Sequence, residues 1–428
     1  MNPTAKPWFS PYTNNNPKKQ VMIIGGGISG AATAYSLAKR GYHVSIHEKH
    51  PTLAMEASGN SQAVLYGSFT GNYTPMLELS FAGYNYSHDL ICQLLTPDLD
   101  YLACGVIQLI ELQDITKFKQ LCTQVTPSFC HLVTPKEINK IANVAVSCDA
   151  GTFFPQGLCF DPKILIRQLT QHSQIHVTLN SDIAKIEFTD NLWHIYDAQA
   201  NLLESAPNLV LCNSHLINQF DVTSNLLLRT IRGQTTTVRG NLGLKSIICG
   251  DAYITPNHGE CFTLGATFKI NQTNTEVKPE EHVENLAAAA KIIPQLQMTL
   301  PSAVIQDLIR DPYQRQIHPL ISGHAAIRSS TTDYMPIVGP VADYAQFMQI
   351  YAKLAQDSKY RINTPCPYLP GLFINAAHGA KGMLSAPLCG EIIANYIDNQ
   401  PQQLSTSVIH ALHPNRLYFK QLIQKNNL

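Results

Sequence analysis

The stretch Val21-Met-Ile-Ile-Gly25-Gly26-Gly27-Ile28-Ser29-Gly30, continued by Ala31 to Arg40, Gly41 and then Val44-Ser-Ile-His47-Glu48, decides the fold. Val21 to Ile24 is a short apolar run with no polar break, the pattern of a parallel strand buried on both faces. It stops at glycines spaced Gly-x-Gly-x-x-Gly, and helix formers follow up to Gly41, which stands where a helix C-cap belongs. A second strand is predicted over Val44 to His47 and ends on an acid. Each piece has a task in binding a dinucleotide. Gly25 permits the tight turn, Gly27 lets the backbone approach a pyrophosphate, and Gly30 lets helix pack closely on strand. The helix N-terminus, with Ile28 and Ser29 in its first turn, then faces the phosphates. Glu48 lies 18 residues beyond Gly30, where a carboxylate accepts hydrogen bonds from ribose hydroxyls and repels a 2′-phosphate. A glycine-rich turn without a ligand is the bland alternative, and strand, helix, second strand and acid in register argue against it. The motif alone does not separate FAD from NAD.

Bulk properties bound the rest. A chain of 428 residues exceeds the size at which single cores stop growing, so two domains are expected. Lys plus Arg and Asp plus Glu both total 30, which gives no sign of a polyanionic partner, so any nucleic-acid contact must be local. Two loose basic runs qualify: Lys353, Lys359 and Arg361, and Arg416, Lys420 and Lys425. Each is open to two readings, a phosphate-binding patch or a solvated face. The eleven cysteines are scattered without a Cys-x-x-Cys pair, which speaks against a zinc ribbon or thiol redox motif and points to a reducing cytoplasm; no metal is expected. The start lacks the apolar core of a secretory signal, and Pro11 to Gln20 reads as a linker or leader. The longest mostly apolar stretch, Val21 to Ala38, is broken by four glycines, so no membrane association is expected.

Two distant segments favour FAD: Arg328-Ser-Ser-Thr-Thr-Asp333-Tyr-Met-Pro336-Ile-Val-Gly339-Pro340, and Gly371-Leu-Phe-Ile-Asn-Ala-Ala-His378-Gly379-Ala380-Lys381-Gly382-Met383-Leu-Ser-Ala-Pro387. The second reads as strand, glycine loop and then a helix over Leu384 to Tyr396, a unit able to bring backbone N–H groups to the flavin end of an FAD. From Val21 through Pro387 the chain resembles the D-amino-acid oxidase and glycine oxidase superfamily of flavoproteins. Ala57-Ser58-Gly59-Asn60-Ser61-Gln62-Ala63-Val64-Leu65-Tyr66, Ile231-Arg232-Gly233-Gln234 and Pro414-Asn415-Arg416-Leu417 resemble signatures of a narrower family, the FAD-dependent oxidoreductase part of the bifunctional tRNA wobble-uridine modification enzymes MnmC. Lys6-Pro7-Trp8-Phe9 resembles the junction with their methyltransferase half, and the chain is expected to carry out the oxidative step alone. Three positions depart from the pattern: Ala63 and Ala377 stand where glycine is usual, and Lys381 where arginine is common.

The resemblance implies an α/β (α+β) fold: a Rossmann-like FAD-binding domain over 20–90, 156–222 and 325–428, interleaved with an antiparallel-sheet substrate domain over 91–155 and 223–324, after a leader over 1–19. Strands at Ile175 to Leu179, Ile183 to Phe188, Trp193 to Tyr196 and Leu209 to Asn213 belong to the first. Those at Val106 to Ile110, Leu227 to Val238, Ser246 to Thr255 and Cys261 to Ala266 belong to the second. It implies FAD contacts from Gly25, Gly27, Ile28, Ser29, Gly30, Glu48, Lys49, Ser58, Gly59, Asn60, Gln62, Ile183, Asn213, Gly339, His378, Gly379, Ala380, Lys381, Gly382 and Met383. No cysteine lies between Cys261 and Cys366, so a non-covalent, dissociable FAD is expected.

The implied reaction is oxidation of the C–N bond between the side-chain nitrogen and the carboxymethyl group of 5-carboxymethylaminomethyl-(2-thio)uridine in tRNA, giving the aminomethyl uridine and glyoxylate. Such chemistry needs no protein nucleophile. It needs a carboxylate anchor, and Arg328 is the candidate because guanidinium meets a carboxylate with two parallel hydrogen bonds. Lys381 is placed near the flavin, although lysine does not replace arginine at a bidentate site. Tyr253, His258 and His324 are candidate pocket residues that read equally as satisfied core or rim groups. A separate methyltransferase is a second candidate partner beside tRNA. Two other readings stay open: an oxidase of a free small amino acid such as glycine or sarcosine, and a non-catalytic flavin-binding scaffold.

Overall fold

The computed structural model describes residues 6–67, 74–123, 125–296, 320–357 and 359–424. Two compact units emerge from the chain's contacts: Met1–Met55 with Ile166–Thr230 and Arg328–Leu428, and Glu56–Leu165 with Ile231–Ile327. Lys425 lies outside the described residues.

The first unit is built on the opening motif. Strand β1 (Gln20–Ile24) leads through the glycines into helix α1 (Ile28–Ala38), and the chain returns as strand β2 (His43–His47) parallel to β1. All residues of α1 except Tyr35 are buried, so the helix carries no polar face and must be covered on both sides. The sheet covers one. The helix Gly382–Ile397 covers the other, crossing so closely that a Cβ on Gly390 would lie 2.8 Å from the Thr33 nitrogen.

Six strands form the sheet, in the order Ile337–Ala342, Tyr368–Ala376, Asn208–Leu211, β1, β2 and Ile175–Thr178. The first pair is antiparallel and the others parallel. The chain leaves β1 toward β2 on one side and later returns as Asn208–Leu211 on the other, so the strand order reverses beside β1. Open α/β sheets bind ligands at such a switch point, outside the carboxyl ends of the strands. An antiparallel meander, Lys185–Thr189, Leu192–Tyr196 and Leu202–Ala206, completes the unit's sheets; its third strand has no counterpart in the sequence expectations.

Residues 6–19, expected as a leader, are packed onto this unit. The Trp8 ring stacks on Phe419 at 4.4 Å, and the buried Asn14 amide donates to the Ile397 carbonyl at 2.8 Å. Polar composition suggested a linker, but here the asparagines serve as fasteners.

The second unit holds a nine-stranded sheet around Arg229–Arg239, Cys261–Gly265, Tyr253–Ile254, Ile247–Cys249, Val106–Ile110, Ala150–Phe154 and His131–Val133. It is mixed rather than antiparallel throughout, because Ile247–Cys249 runs parallel to Val106–Ile110. The single strand expected over 246–255 is a hairpin, Ile247–Cys249 against Tyr253–Ile254. Residues 56–90 and 156–165, expected with the dinucleotide-binding part, cluster in this unit. The reason is packing: Leu77, in the helix Pro75–Leu94, shares a core with Val106, Ile110, Phe154 and Cys159.

Candidate functional site

At the end of β1 the backbone turns on Gly25, whose φ of +109° is a conformation L side chains rarely adopt, and a Cβ there would sit 2.7 Å from the Cys212 carbonyl oxygen. Gly30 is required by proximity: a Cβ would lie 1.9 Å from the Gly25 carbonyl oxygen. The turn and the first turn of α1 are therefore pressed together as the spacing predicts. Gly27 is the N-cap residue of α1, and Ile28 and Ser29 are buried in its first turn.

Glu48 follows β2 and is buried, with both carboxylate oxygens engaged. One accepts from the Gly26 N–H at 2.7 Å, the other from the His50 N–H at 3.0 Å. These backbone donors fix the carboxylate beside the glycine turn, and each oxygen keeps a lone pair for a hydroxyl.

Across the switch point, at the carboxyl end of Asn208–Leu211, stands Asn213. Its Nδ2 and Oδ1 are both buried and find no partner among the described residues. Its backbone nitrogen lies 3.0 Å from the position of a Gly25 Cβ. A buried amide with neither end satisfied carries a free-energy penalty that a bound polar ligand relieves. The cradle thus fits a dinucleotide: a turn that backbone groups can approach, a fixed acid for ribose hydroxyls, and an amide with one donor and one acceptor to spare.

The second glycine loop meets the first. A Cβ on Gly382, the first residue of its helix, would lie 3.7 Å from Ile28, so two helix N-termini converge. Side chains tie them together. Thr33 donates to the Ser29 carbonyl at 2.7 Å, Asn375 Nδ2 donates to Thr33 Oγ1 at 3.0 Å, His378 Nε2 lies 2.9 Å from Asn375 Oδ1, and Ser385 Oγ lies 2.8 Å from His378 Nδ1. Burial pushes His378 down to about 3, so the ring is neutral. With Thr33 already donating, Asn375 must present its NH2 to Thr33 and its oxygen to His378. The Ser385 hydroxyl, 2.8 Å from His378 Nδ1, also donates to the Lys381 carbonyl at 2.9 Å, which ties the ring to the start of the helix. Sequence reasoning named His378 but missed Thr33, Asn375 and Ser385; the asparagine inside the apolar run Leu372-Phe-Ile-Asn375 was the available signal.

Gly379 has φ +58°, Gly339 has φ +136°, and Ala380 is exposed. Lys381, half-buried, has its ammonium pKa lowered by burial. Lys49 and Met383 are half-buried, and Ile183 is buried in the core around Trp193. Arg328, half-buried, begins the last segment of the first unit and precedes a turn fastened by Asp333. That carboxylate accepts from Thr331 at 2.7 Å, from the Arg416 guanidinium at 3.1 and 3.2 Å, and from Lys420 at 2.5 Å. Arg416 is buried and also donates to the carbonyls of Leu412 and Met335. Two members of the second basic run are thus partners of an acid, Arg416 buried and Lys420 partly exposed.

Ser58, Gly59, Asn60 and Gln62 belong to the second unit. The Gln62 amide is committed there, donating to the Pro256 carbonyl at 3.2 Å and accepting from Thr255 at 2.6 Å. His324 and His258 each meet a backbone carbonyl through Nε2, of Glu56 at 2.8 Å and of Leu99 at 2.7 Å, so both have a structural use. The Arg-Gly-Gln signature falls on the strand Arg229–Arg239, where the fully buried Arg232 pairs with Glu281 and donates to the carbonyls of Asn274 and Glu276.

Comparisons with known proteins agree with the cradle. The family model described as FAD dependent oxidoreductase matches residues 20–396. Two relatives named tRNA 5-methylaminomethyl-2-thiouridine biosynthesis bifunctional protein MnmC are similar over nearly the whole chain. The one from Pseudomonas savastanoi pv. phaseolicola is 35% identical over 99% of this chain, and the one from Chromobacterium violaceum 34% over 98%. The chain spans 62% of the length of each. Among solved structures, glycine oxidase from Geobacillus kaustophilus superposes with a TM-score of 0.71 at 18% identity, covering 92% of this chain and 98% of that one. Iminodiacetate oxidase from Chelativorans sp. BNC1 gives 0.68 at 19% identity, covering 90% and 97%. Both share the fold. With its glycine cradle, fixed acid and unpartnered amide, and a family match across most of its length, the chain belongs to the FAD dependent oxidoreductase family, and its cofactor is FAD.

Proposed function

We propose that the chain oxidises the C–N bond that joins the carboxymethyl group to the side-chain nitrogen of 5-carboxymethylaminomethyl-(2-thio)uridine in tRNA. The observation that carries this reading is similarity at 34–35% identity, over nearly the whole chain, to proteins named for synthesis of the methylaminomethyl-thiouridine of tRNA. FAD, when bound, supplies the electron acceptor for a hydride. The secondary amine loses that hydride and a proton to become an imine, and water divides the imine into the aminomethyl uridine and glyoxylate, so atoms and electrons balance.

The protein's own residues bind and orient. Arg328 holds the substrate carboxylate through two parallel hydrogen bonds, which fixes the reacting carbon. Glu48 and Asn213 would hold the dinucleotide, with the two convergent helix N-termini offering N–H groups to its anionic part. Lys381, whose ammonium burial disfavours, would stand near the flavin end. The neutral His378 keeps the second glycine loop in place against α1.

The test is anaerobic flavin absorbance on addition of tRNA bearing the carboxymethylaminomethyl group, or of free glycine and sarcosine. Bleaching by the tRNA, with one glyoxylate per flavin reduced, is the expected result. Bleaching by the free amino acids alone would overturn the reading in favour of a small-amine oxidase, and no bleaching by either in favour of a scaffold.

A further inference from the structure

Among the described residues no acid pairs with the first basic run, whereas Asp333 pairs with Arg416 and Lys420 of the second. Lys353, Lys359, Tyr360 and Arg361 are all exposed, in and after the short 3-10 turn Ala352–Ala355. The Lys353 ammonium lies 4.8 Å above the Tyr360 ring and 3.0 Å from its hydroxyl, and Asp357 fastens the loop by accepting from the Lys359 N–H at 2.9 Å. The loop therefore presents a tyrosine that is 44% exposed among three cations.

A second displayed tyrosine shares the same support. Tyr334 is 62% exposed and has φ +60°, a left-handed conformation that a bulky side chain adopts only when its surroundings enforce it. Asp333 enforces it, gripped by Arg416 and Lys420 of the helix Asn415–Gln424. The same helix packs Leu417 and Leu422 into one core with Leu354 of the 3-10 turn. Segments 333–361 and 415–424 together carry five cations against three acids, in a chain whose formal net charge is zero. Both tyrosines are exposed, and Tyr360 stands beside cations that no acid pairs with among the described residues.

Exposed aromatics interleaved with lysine and arginine are the chemistry that binds unpaired nucleotides, bases stacking on the rings while phosphates meet the cations. We propose that Tyr334, Lys353, Lys359, Tyr360 and Arg361 form a docking surface for the RNA that flanks the reacting nucleotide, outside the flavin cradle. The proposal rests on the reading of the substrate as tRNA. Such a surface contributes to affinity and leaves the chemical step alone.

The experiment is steady-state turnover of modified tRNA, with tRNA affinity measured separately across a salt series. It compares the wild-type holoenzyme with the triple variant Lys353→Glu, Lys359→Glu and Arg361→Glu, its glutamine counterpart, Tyr334→Asn and Tyr334→Phe. Asparagine tolerates the left-handed conformation, so a loss in Tyr334→Asn is not a backbone effect. The glutamine triple, with flavin content as a check, guards against misfolding. The expected result is a KM for tRNA raised about tenfold in Tyr334→Asn, near wild type in Tyr334→Phe, and raised further in the charge variants, with kcat at saturating tRNA unchanged. The slope of log affinity against log salt falls by about 2 in the glutamine triple. Wild-type turnover of tRNA with unaltered KM and slope in the variants would overturn the surface alone. Failure of the wild type to bind or oxidise tRNA would overturn the functional reading, and the surface with it.

Discussion

Replacing Asp333 by asparagine tests how the segment after Arg328 is held. The carboxylate is 26% exposed and faces Arg416, whose side chain is 9% exposed, and Lys420, at 41%. Asparagine keeps an oxygen for Thr331 and Met335 but turns an NH2 toward two cations, so donors meet donors. Removing one partner of a fully buried pair costs about 3–5 kcal/mol, while exposed pairs are worth about 0–1 kcal/mol. Arg416 belongs to the first case and Lys420 to the second, and the partial exposure of the acid trims the sum, so the expected loss is roughly 2–3 kcal/mol. For a unit of this size that lowers Tm by roughly 5–10 °C. Burial pushes the Asp333 carboxyl pKa up, but Arg416, Lys420 and Thr331 more than offset it and hold it well below the usual carboxylate range. A depressed folded pKa means that the contribution is fully present above the unfolded value near 4 and is lost as pH falls below it. Asp333→Asn should therefore flatten the acid limb of the wild-type stability profile. Thermal and urea unfolding by circular dichroism from pH 7 to pH 3, with Arg416→Met and the double variant closing a cycle, measures both. A loss under about 1 kcal/mol at pH 7, or a coupling near zero, would refute the reasoning.

Four further outcomes follow from the cradle and the anchor. Glu48→Gln should raise the Kd for FAD about tenfold in a flavin-fluorescence titration, because an amide replaces one acceptor oxygen by a donor; an unchanged Kd would remove Glu48 from the ribose site. Asn213→Leu should weaken FAD binding while leaving the apoprotein as stable or more so, since it deletes an amide unpartnered among the described residues; loss of apoprotein stability with FAD affinity intact would contradict its role. Arg328→Lys should lower kcat/KM for modified tRNA by about a hundredfold or more with an unaltered flavin spectrum, because a point charge replaces a two-pronged grip; wild-type kinetics would place the anchor elsewhere. Acid precipitation should leave yellow FAD in the supernatant, and a yellow pellet would reveal a covalent link.

The opening motif was legible because backbone geometry demands it. A residue at φ +109° and another whose Cβ would meet a carbonyl at 1.9 Å admit glycine alone, so spacing and structure are two statements of one constraint. Glu48 was legible for a related reason, since a strand of fixed length delivers it to the turn. Arg416 and Lys420 were not, because cations four apart on a helix suggest a solvent-facing pair, and nothing in the linear spacing shows Asp333, 83 residues earlier, coming to meet them. The placement of residues 56–90 was hidden likewise, since it depends on which strands Leu77 packs against. The relay from Thr33 to Ser385 needs three elements brought together, and only its strand asparagine is conspicuous in sequence.

Ala377 shows why a departure from a family pattern need not signal a lost site. It stands where glycine is usual, and it has φ +62° and is 1% exposed. An L residue in that conformation costs about 1–2 kcal/mol. Against this, alanine loses less chain entropy than glycine on folding, about 0.4–1 kcal/mol, and its buried methyl contributes about 0.8 kcal/mol. The terms nearly cancel. No contact under 4 Å crowds Gly259, another left-handed position, whereas a Cβ on Gly371, also left-handed, would strike the Pro207 carbonyl at 2.1 Å. A neighbouring backbone in contact with the Cβ therefore adds to the cost of a positive φ, and where that contact is missing the φ cost stands alone. Ala377 has room for its methyl, so the loop that carries His378 keeps its path, and the ring stays 2.9 Å from Asn375 Oδ1 and 2.8 Å from Ser385 Oγ.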